Sequence, residues 1–143
     1  MIRQSLLGAS LAVTLSANDG AALFDAQCNA CHVKYVPVNE LMENFMKGKN
    51  EKLKLLAPTL NQLNFRIKQM VGDPKGDAEM HRIEVVEFIK DYVIHPDKAK
   101  SVCLAEVIDN FETMPSMKGQ ISESELEAVA EFIYDYTQPE ERK

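Results

Sequence analysis

The sequence has no tryptophan and few of the residues that mark special classes of protein. Six glycines, six prolines and three cysteines among 143 residues exclude a collagen-like, low-complexity or disulfide-rich chain. A second pair of cysteines or histidines, which a four-ligand zinc site needs, is missing. Basic residues are outnumbered, 16 against 22 acidic ones, and this balance argues against nucleic-acid binding. The length and the ordinary apolar content fit one globular domain with a real core.

The first 17 residues have the composition of an export signal. Arg3 gives a positive start, and residues 6–15 form an apolar run that is too short to span a bilayer. Small residues near Ala17 offer a cleavage site, although Leu15 fits poorly three positions before the cut. The alternative is an uncleaved amphipathic or buried N-terminal segment. We predict a signal peptide over 1–17, a domain over 18–143 and no membrane span in the mature chain.

Residues 28–32 read Cys-Asn-Ala-Cys-His, which is the attachment signature of c-type haem. Each thiol of this motif can add to one haem vinyl group, and the imidazole of the next residue then lies under the iron as an axial ligand. The motif therefore predicts one haem c, attached through Cys28 and Cys31, with His32 on the iron. Attachment in bacteria takes place outside the inner membrane, which agrees with export to the periplasm.

Two other chemistries use a CxxC motif. A redox dithiol usually follows a strand and begins a helix, and no strand signal precedes Cys28. Half of a zinc site needs a second pair of ligands, and Cys103 stands alone. We interpret Cys103 as a buried, inert thiol, with an intermolecular disulfide as the lesser alternative.

Apolar residues recur at helical spacing through most of the chain, and no stretch alternates as a strand does. The final helix has the clearest start because Ser122 and Glu125 form a capping box. In the fifth predicted helix, Val102, Ala105 and Ile108 are expected to face inward. The predicted helices cover about 18–31, 41–48, 60–71, a segment around 85–92 that stops before Pro96, 98–110 and 122–138. These patterns predict an all-α fold.

Several features occur in the order in which one family has them. Gly20, Phe24 and Cys28 are spaced by four, residues 57–60 read Ala-Pro-Thr-Leu, and a Met-Pro pair at 114–115 precedes the last helix. In this order they resemble the class I cytochrome c family. The resemblance implies a cytochrome c-like fold in which the N- and C-terminal helices cross around one covalently bound haem. Gly20 would let the two helices approach closely, and Phe24 would pack in their crossing. The middle region, residues 38–110, is longer than the minimal fold needs and is expected to hold an extra helical insertion.

The resemblance also implies roles for residues outside the motif. The Pro58 carbonyl would accept a hydrogen bond from the His32 imidazole and so orient the ring. Leu60 would touch the haem, and Met114 would be the sixth ligand of the iron.

The identity of the sixth ligand has alternatives. Met117 is three residues beyond Met114 and is chemically able to replace it, and either methionine could instead pack in the pocket or core. His81 and His95 could form a bis-histidine centre. His81 lies on the polar side of its predicted helix and His95 at a helix end, so both are expected to be surface or capping residues.

Ligation by histidine and methionine fills both axial positions of the iron, which suits one-electron transfer and argues against an enzyme. We expect a carrier, or the exported haem subunit of a redox complex, whose partners are respiratory or periplasmic redox proteins. Lys34 and the basic run 47–54 are expected near the docking edge, away from an acidic C-terminal part. The alternative is a haem enzyme or sensor with an open sixth site. The oligomeric state is not predicted.

Overall fold

The computed structural model describes residues 19–139, and the predicted signal peptide lies outside this range. Within it the secondary structure is helical and contains no strand, as predicted. No helix in the described range is long and apolar enough to cross a membrane. Its α-helices are α1 Gly20–Gln27, α2 Val38–Met42, α3 Leu60–Met70, α4 Ala78–Ile94, α5 Ala105–Ile108 and α6 Glu123–Asp135. A π-helical turn, Glu43–Lys47, continues α2, and a 3-10 turn covers Lys98–Lys100.

The first and last helices cross closely at Gly20. A Cβ atom at this position would lie 2.1 Å from the carbonyl oxygen of Ala128 and 2.8 Å from the Cβ of Phe132. Phe24, one turn later, is 1% exposed, and its ring centroid is 5.5 Å from that of Phe132. The predicted roles of Gly20 and Phe24 at this crossing are confirmed.

The main core lies between α1, α3, α4 and α6. Helix α6 begins with the predicted capping box: Glu125 N–H donates to Ser122 Oγ, and Ser122 N–H donates to Glu125 Oε2 at 2.8 Å. Val129, Ala130 and Ile133 of α6 are buried in this core. The buried residues of the core are Phe24, Leu60, Ile67, Val85, Val86, Ile89, Val129, Ala130 and Ile133.

A second apolar cluster lies between α2 with its π-helical turn and the segment 107–111. It consists of Leu41, Phe45, Val107 and Phe111, each at most 7% exposed. Leu41 lies on α2 and Phe45 on the π-helical turn, so the insertion is helical, as predicted, and has its own apolar contacts.

The predicted helix over 98–110 is wrong. Ser101 and Leu104 are extended, and only the 3-10 turn and α5 are helical in this segment. The Ser101 hydroxyl accepts the N–H of Cys103 at 3.2 Å, a local bond that competes with a helix. The inward face also differs, because Ala105 is exposed and Val107 is buried.

Candidate functional site

The Cys-Asn-Ala-Cys-His motif forms a tight turn directly after α1. Cys28 N–H donates to the Phe24 carbonyl at 2.8 Å, and His32 N–H donates to the Cys28 carbonyl at 2.9 Å. Helix α1 therefore ends at Gln27, whereas the sequence had predicted an end near Cys31. The turn brings two thiols and one imidazole to the wall of a single cavity.

The His32 ring is oriented by the chain segment before α3. Its Nδ1 lies 2.7 Å from the carbonyl oxygen of Pro58. Because a carbonyl can only accept, Nδ1 carries the proton and Nε2 keeps its lone pair. The two segments are also joined by the N–H of Leu60, which donates to the Val33 carbonyl at 2.8 Å.

Burial keeps this imidazole in the form that binds metals. It lowers the pKa of His32, and the hydrogen bond to Pro58 opposes this effect only in part. A neutral ring with Nδ1–H bonded to a carbonyl is the usual state of a histidine that ligates through Nε2.

The cavity beside the motif has a volume of about 450 Å³ and mainly apolar walls. This size lies within the range of cofactor pockets. Both Met114 and Met117 line it, so thioether sulfurs and an imidazole nitrogen share one chamber with two thiols. These donors suit haem c, whose iron takes nitrogen and sulfur ligands. Further lining residues come from α1, α3, α4 and α6 and include Phe24, Leu63, Ile67, Phe88, Ile89, Val129 and Ile133.

Comparison with known proteins agrees with this chemistry. The family model described as "Cytochrome C oxidase, cbb3-type, subunit III" matches residues 16–133. The chain belongs to this family of c-type cytochromes. A relative from Aquifex aeolicus (strain VF5), described as an uncharacterized protein, is 29% identical over 140 residues, which are 93% of this chain and 87% of the relative. No solved structure matches the chain.

Membership confirms the resemblance and the cytochrome c-like fold predicted from the sequence. It also gives the coarse function: the cytochrome is a haem-based electron carrier, and members of such families are generally carriers rather than enzymes.

Leu60 is fully buried in the main core of the cytochrome and is not one of the cavity-lining residues. It is the first residue of α3, where its side chain packs inward. Leu63, nearly one helical turn later, lines the cavity instead. The resemblance had assigned the haem contact to Leu60, and that contact stays a prediction.

Neither histidine outside the motif lines the cavity. The prediction that His81 lies on the polar side of its helix is wrong, because the residue is 8% exposed and its Nε2 is 3.1 Å from the Val71 carbonyl. Val71 directly follows the last residue of α3, so the His81 ring forms a hydrogen bond at the C-terminal end of a neighbouring helix. His95 caps the end of α4 and is exposed, as predicted.

The thiols of the motif are poorly suited to a redox dithiol enzyme. Burial, with a smaller effect of the nearby Cys31, raises the pKa of Cys28 to about 11. The motif also follows the C-terminal end of α1, whose partial negative charge disfavours a thiolate. Reactive dithiols have a lowered pKa and lie at helix N-termini, so the dithiol alternative is not supported.

Several residues of the cavity wall had no signal in the sequence. Cys103 lines the cavity and is half-buried, and burial raises the pKa of its thiol. Phe111 also lines the cavity. Both residues precede Met114 in a segment whose path depends on contacts with α2 and α4.

Proposed function

We propose that this chain is an exported monohaem cytochrome c that carries single electrons between redox proteins of the periplasm or respiratory chain. Haem c is held through Cys28 and Cys31, and His32 and Met114 are the ligands of its iron. The observation that carries the proposal is the hydrogen bond between His32 Nδ1 and the Pro58 carbonyl. It leaves the lone pair of Nε2 available to bind a metal, in a cavity that Met114 and both motif thiols line.

Haem, when bound, supplies an iron that changes between the ferrous and ferric states. The chain tethers and tunes this group. Pro58 fixes the orientation of the His32 ring and increases its basicity. The Met114 sulfur favours ferrous iron, and the apolar walls act in the same direction because they disfavour added positive charge. With both ligands in place no open position remains, so the residues serve transfer rather than catalysis.

The exposed edge of the cavity gives electrons a short path to a partner. Cys31 is exposed, and Leu56 lines the cavity with 70% of its surface exposed. Small apolar contacts with a charged rim are typical of transient redox encounters. The family's name, a subunit of a cytochrome c oxidase, supports respiratory redox proteins as partners.

Charge is unevenly distributed along the chain. Lys47, Lys49 and Lys54 are exposed and form no ion pair among the described residues. Lys34, which the sequence predicted near the edge, is paired with Asp25 at 2.6 Å and contributes less net charge. The segment 106–139 is strongly acidic. We infer that the basic run 47–54 steers acidic partners, which predicts a transfer rate that falls steeply with added salt.

The ligand assignment is tested by the visible spectrum and reduction potential of the haem-loaded chain. The wild type should show a sharp reduced alpha band and, when oxidised, the weak near-infrared-edge band of sulfur bound to iron. Met114→Ala should abolish that band, lower the potential and allow carbon monoxide to bind. Met117→Ala is the matched control and should leave all three unchanged. The reverse pattern would make Met117 the ligand, and a high-spin wild type that binds carbon monoxide would favour the enzyme or sensor alternative.

A further inference from the structure

The segment that carries Met114 has little structure of its own. Residues 112–115 make no hydrogen bond within the described range 19–139. Holding the Met114 side chain at one point costs such a loop conformational entropy. The position of Met114 therefore depends on the contacts that fix the two ends of the loop. We call residues 111–117 the methionine loop.

The first end of the methionine loop is fixed by packing. Phe111 is 7% exposed, and its ring meets that of Phe45 edge to face, with centroids 5.8 Å apart. Leu41 and Val107 complete the contact in the second cluster. A buried aromatic pair of this geometry stabilises the fold by more than the burial of its apolar area alone. The inserted α2 and its π-helical turn therefore hold the residue three positions before Met114.

The π-helical turn that presents Phe45 is itself fixed by a buried polar side chain. Asn44 is fully buried, and its Oδ1 accepts the N–H of Leu53 at 2.9 Å. Its Nδ2 donates to Asn50 Oδ1 at 3.0 Å, and Asn50 has a positive φ of 62°. These bonds close the loop after the turn, and π-helical turns occur often at functional sites.

The second end of the methionine loop is fixed by hydrogen bonds to the end of α4. Ser116 Oγ donates to the Ile94 carbonyl at 2.5 Å, and Met117 N–H donates to the Val93 carbonyl at 3.1 Å. These carbonyls lie in the last turn of α4, where a helix has no partner of its own for them. The helix thus supplies two acceptors directly beyond Met114.

We infer that α2, its π-helical turn and the end of α4 form a clamp that holds the methionine loop, with Phe45 and Ser116 as positioning residues for Met114. This inference rests on the proposed function, since it assumes that Met114 ligates the iron. It assigns a role to α2 and its π-helical turn, which keep the sulfur at the iron and keep competing ligands out.

The inference is tested with Phe45→Leu and Ser116→Ala in the haem-loaded full chain, using imidazole as a competing ligand for oxidised iron. Loss of the Ser116 bond should raise the affinity for imidazole about five-fold, because a typical hydrogen bond contributes a factor of this size. Phe45→Leu should raise it by a similar factor, the double variant should exceed both, and the sulfur-to-iron band should weaken in parallel. Ser116→Thr keeps the hydroxyl and should restore wild-type affinity.

Controls separate positioning from general loss of stability. Val86→Ala removes volume from the main core away from the cavity lining, and Ser124→Ala removes a hydroxyl from the first turn of α6. Both should leave imidazole affinity unchanged even where urea unfolding shows lower stability. A rise that merely follows stability across all variants would overturn the inference. So would wild-type behaviour of Phe45→Leu and Ser116→Ala alongside a clear effect of Met114→Ala, whereas an inert Met114→Ala would instead refute the ligand assignment.

Discussion

The two sides of the candidate haem site are built in different ways. The histidine side, residues 28–32 with Pro58, is a tight turn at the end of α1 and one hydrogen bond from a buried loop. The methionine side, the methionine loop, has no regular structure and is fixed at its ends by α2, its π-helical turn and α4. One side is thus encoded by a short motif, and the other by packing between distant segments. A local motif tolerates changes elsewhere, whereas the loop is sensitive to every element that supports it.

The largest expected effect is the loss of the cofactor from the histidine side. Replacing Cys28 and Cys31 together with alanine removes both attachment points, so no haem should remain on the denatured chain in acid-acetone extraction followed by a pyridine haemochrome assay. Cys103→Ala is the matched control, because its thiol lines the same cavity outside the motif. Covalent haem in the double variant, or its loss from Cys103→Ala, would contradict the proposed attachment.

The next effect separates the stability of the fold from ligation on the methionine side. Gly20→Ala places a Cβ 2.1 Å from the Ala128 carbonyl oxygen, which forces α1 and α6 apart. We expect the free energy of unfolding to fall by about 3 kcal/mol in urea titration. The sulfur-to-iron band should persist, because the residues that support the methionine loop do not lie at the crossing of α1 and α6. Gly76→Ala, in an exposed turn with its nearest neighbour at 3.0 Å, should cost much less. Equal losses would rule out close approach as the reason for Gly20.

The same contrast explains what the sequence predicted. Gly20 and Phe24 lie at the crossing of α1 and α6, and Pro58 accepts a hydrogen bond from His32, as the order of these features along the chain had predicted. The capping box of Ser122 was also correct, since caps depend on residues only three apart. All of these features belong to the histidine side or to the helix that crosses it.

The remaining features depend on contacts that no local pattern records. His81 was predicted on a polar face, yet the turn between α3 and α4 brings it onto the Val71 carbonyl. The segment 98–110 has helical spacing, but Ser101 and Leu104 adopt extended backbone next to the cavity. Helical period alone also did not reveal that Phe111 meets Phe45 across the second cluster.

Two buried asparagines give the most direct test of the comparison. Asn44→Ala leaves the Leu53 N–H without its partner and should cost about 2 kcal/mol of unfolding free energy. Because Asn44 supports the turn that presents Phe45, imidazole affinity should also rise. We expect both changes in urea and imidazole titrations of the haem-loaded chain.

Asn64→Ala is the matched control in the main core. Its Nδ2 donates to the carbonyls of Ile133 and Tyr134 at 2.8 and 2.9 Å, so its loss should cost a similar amount of stability. Imidazole affinity should stay at the wild-type value, because Asn64 supports the end of α6 and not the methionine loop. If both variants changed imidazole binding equally, the two sides would not be independent.

The smallest expected effect concerns an ion-pair group that belongs to neither side. Lys90 on α4 is 14% exposed, and its Nζ lies 2.7 Å from Glu127, 2.9 Å from Glu87 and 3.1 Å from Glu123. Hydrogen bonds to these carboxylates raise the pKa of Lys90 above its ordinary value of 10.5. Lys90→Met should therefore lower the free energy of unfolding by about 1 kcal/mol at neutral pH, and less at high salt.

The pH dependence of this difference follows from the direction of the pKa change. A raised pKa means that the folded chain binds the proton more tightly than the unfolded one, so the stabilisation is complete below pH 10.5 and is lost as the pH rises through the higher folded value. The free energies of unfolding of wild type and Lys90→Met, measured in urea, should thus differ by a constant amount around neutral pH and converge in alkali. Lys52→Met, which breaks one exposed pair with Glu43, should show a smaller difference throughout. Since Lys90 joins α4 to α6 away from both proposed ligands, the sulfur-to-iron band should be unchanged. A weakened band would show that the methionine side also depends on the contact between these helices.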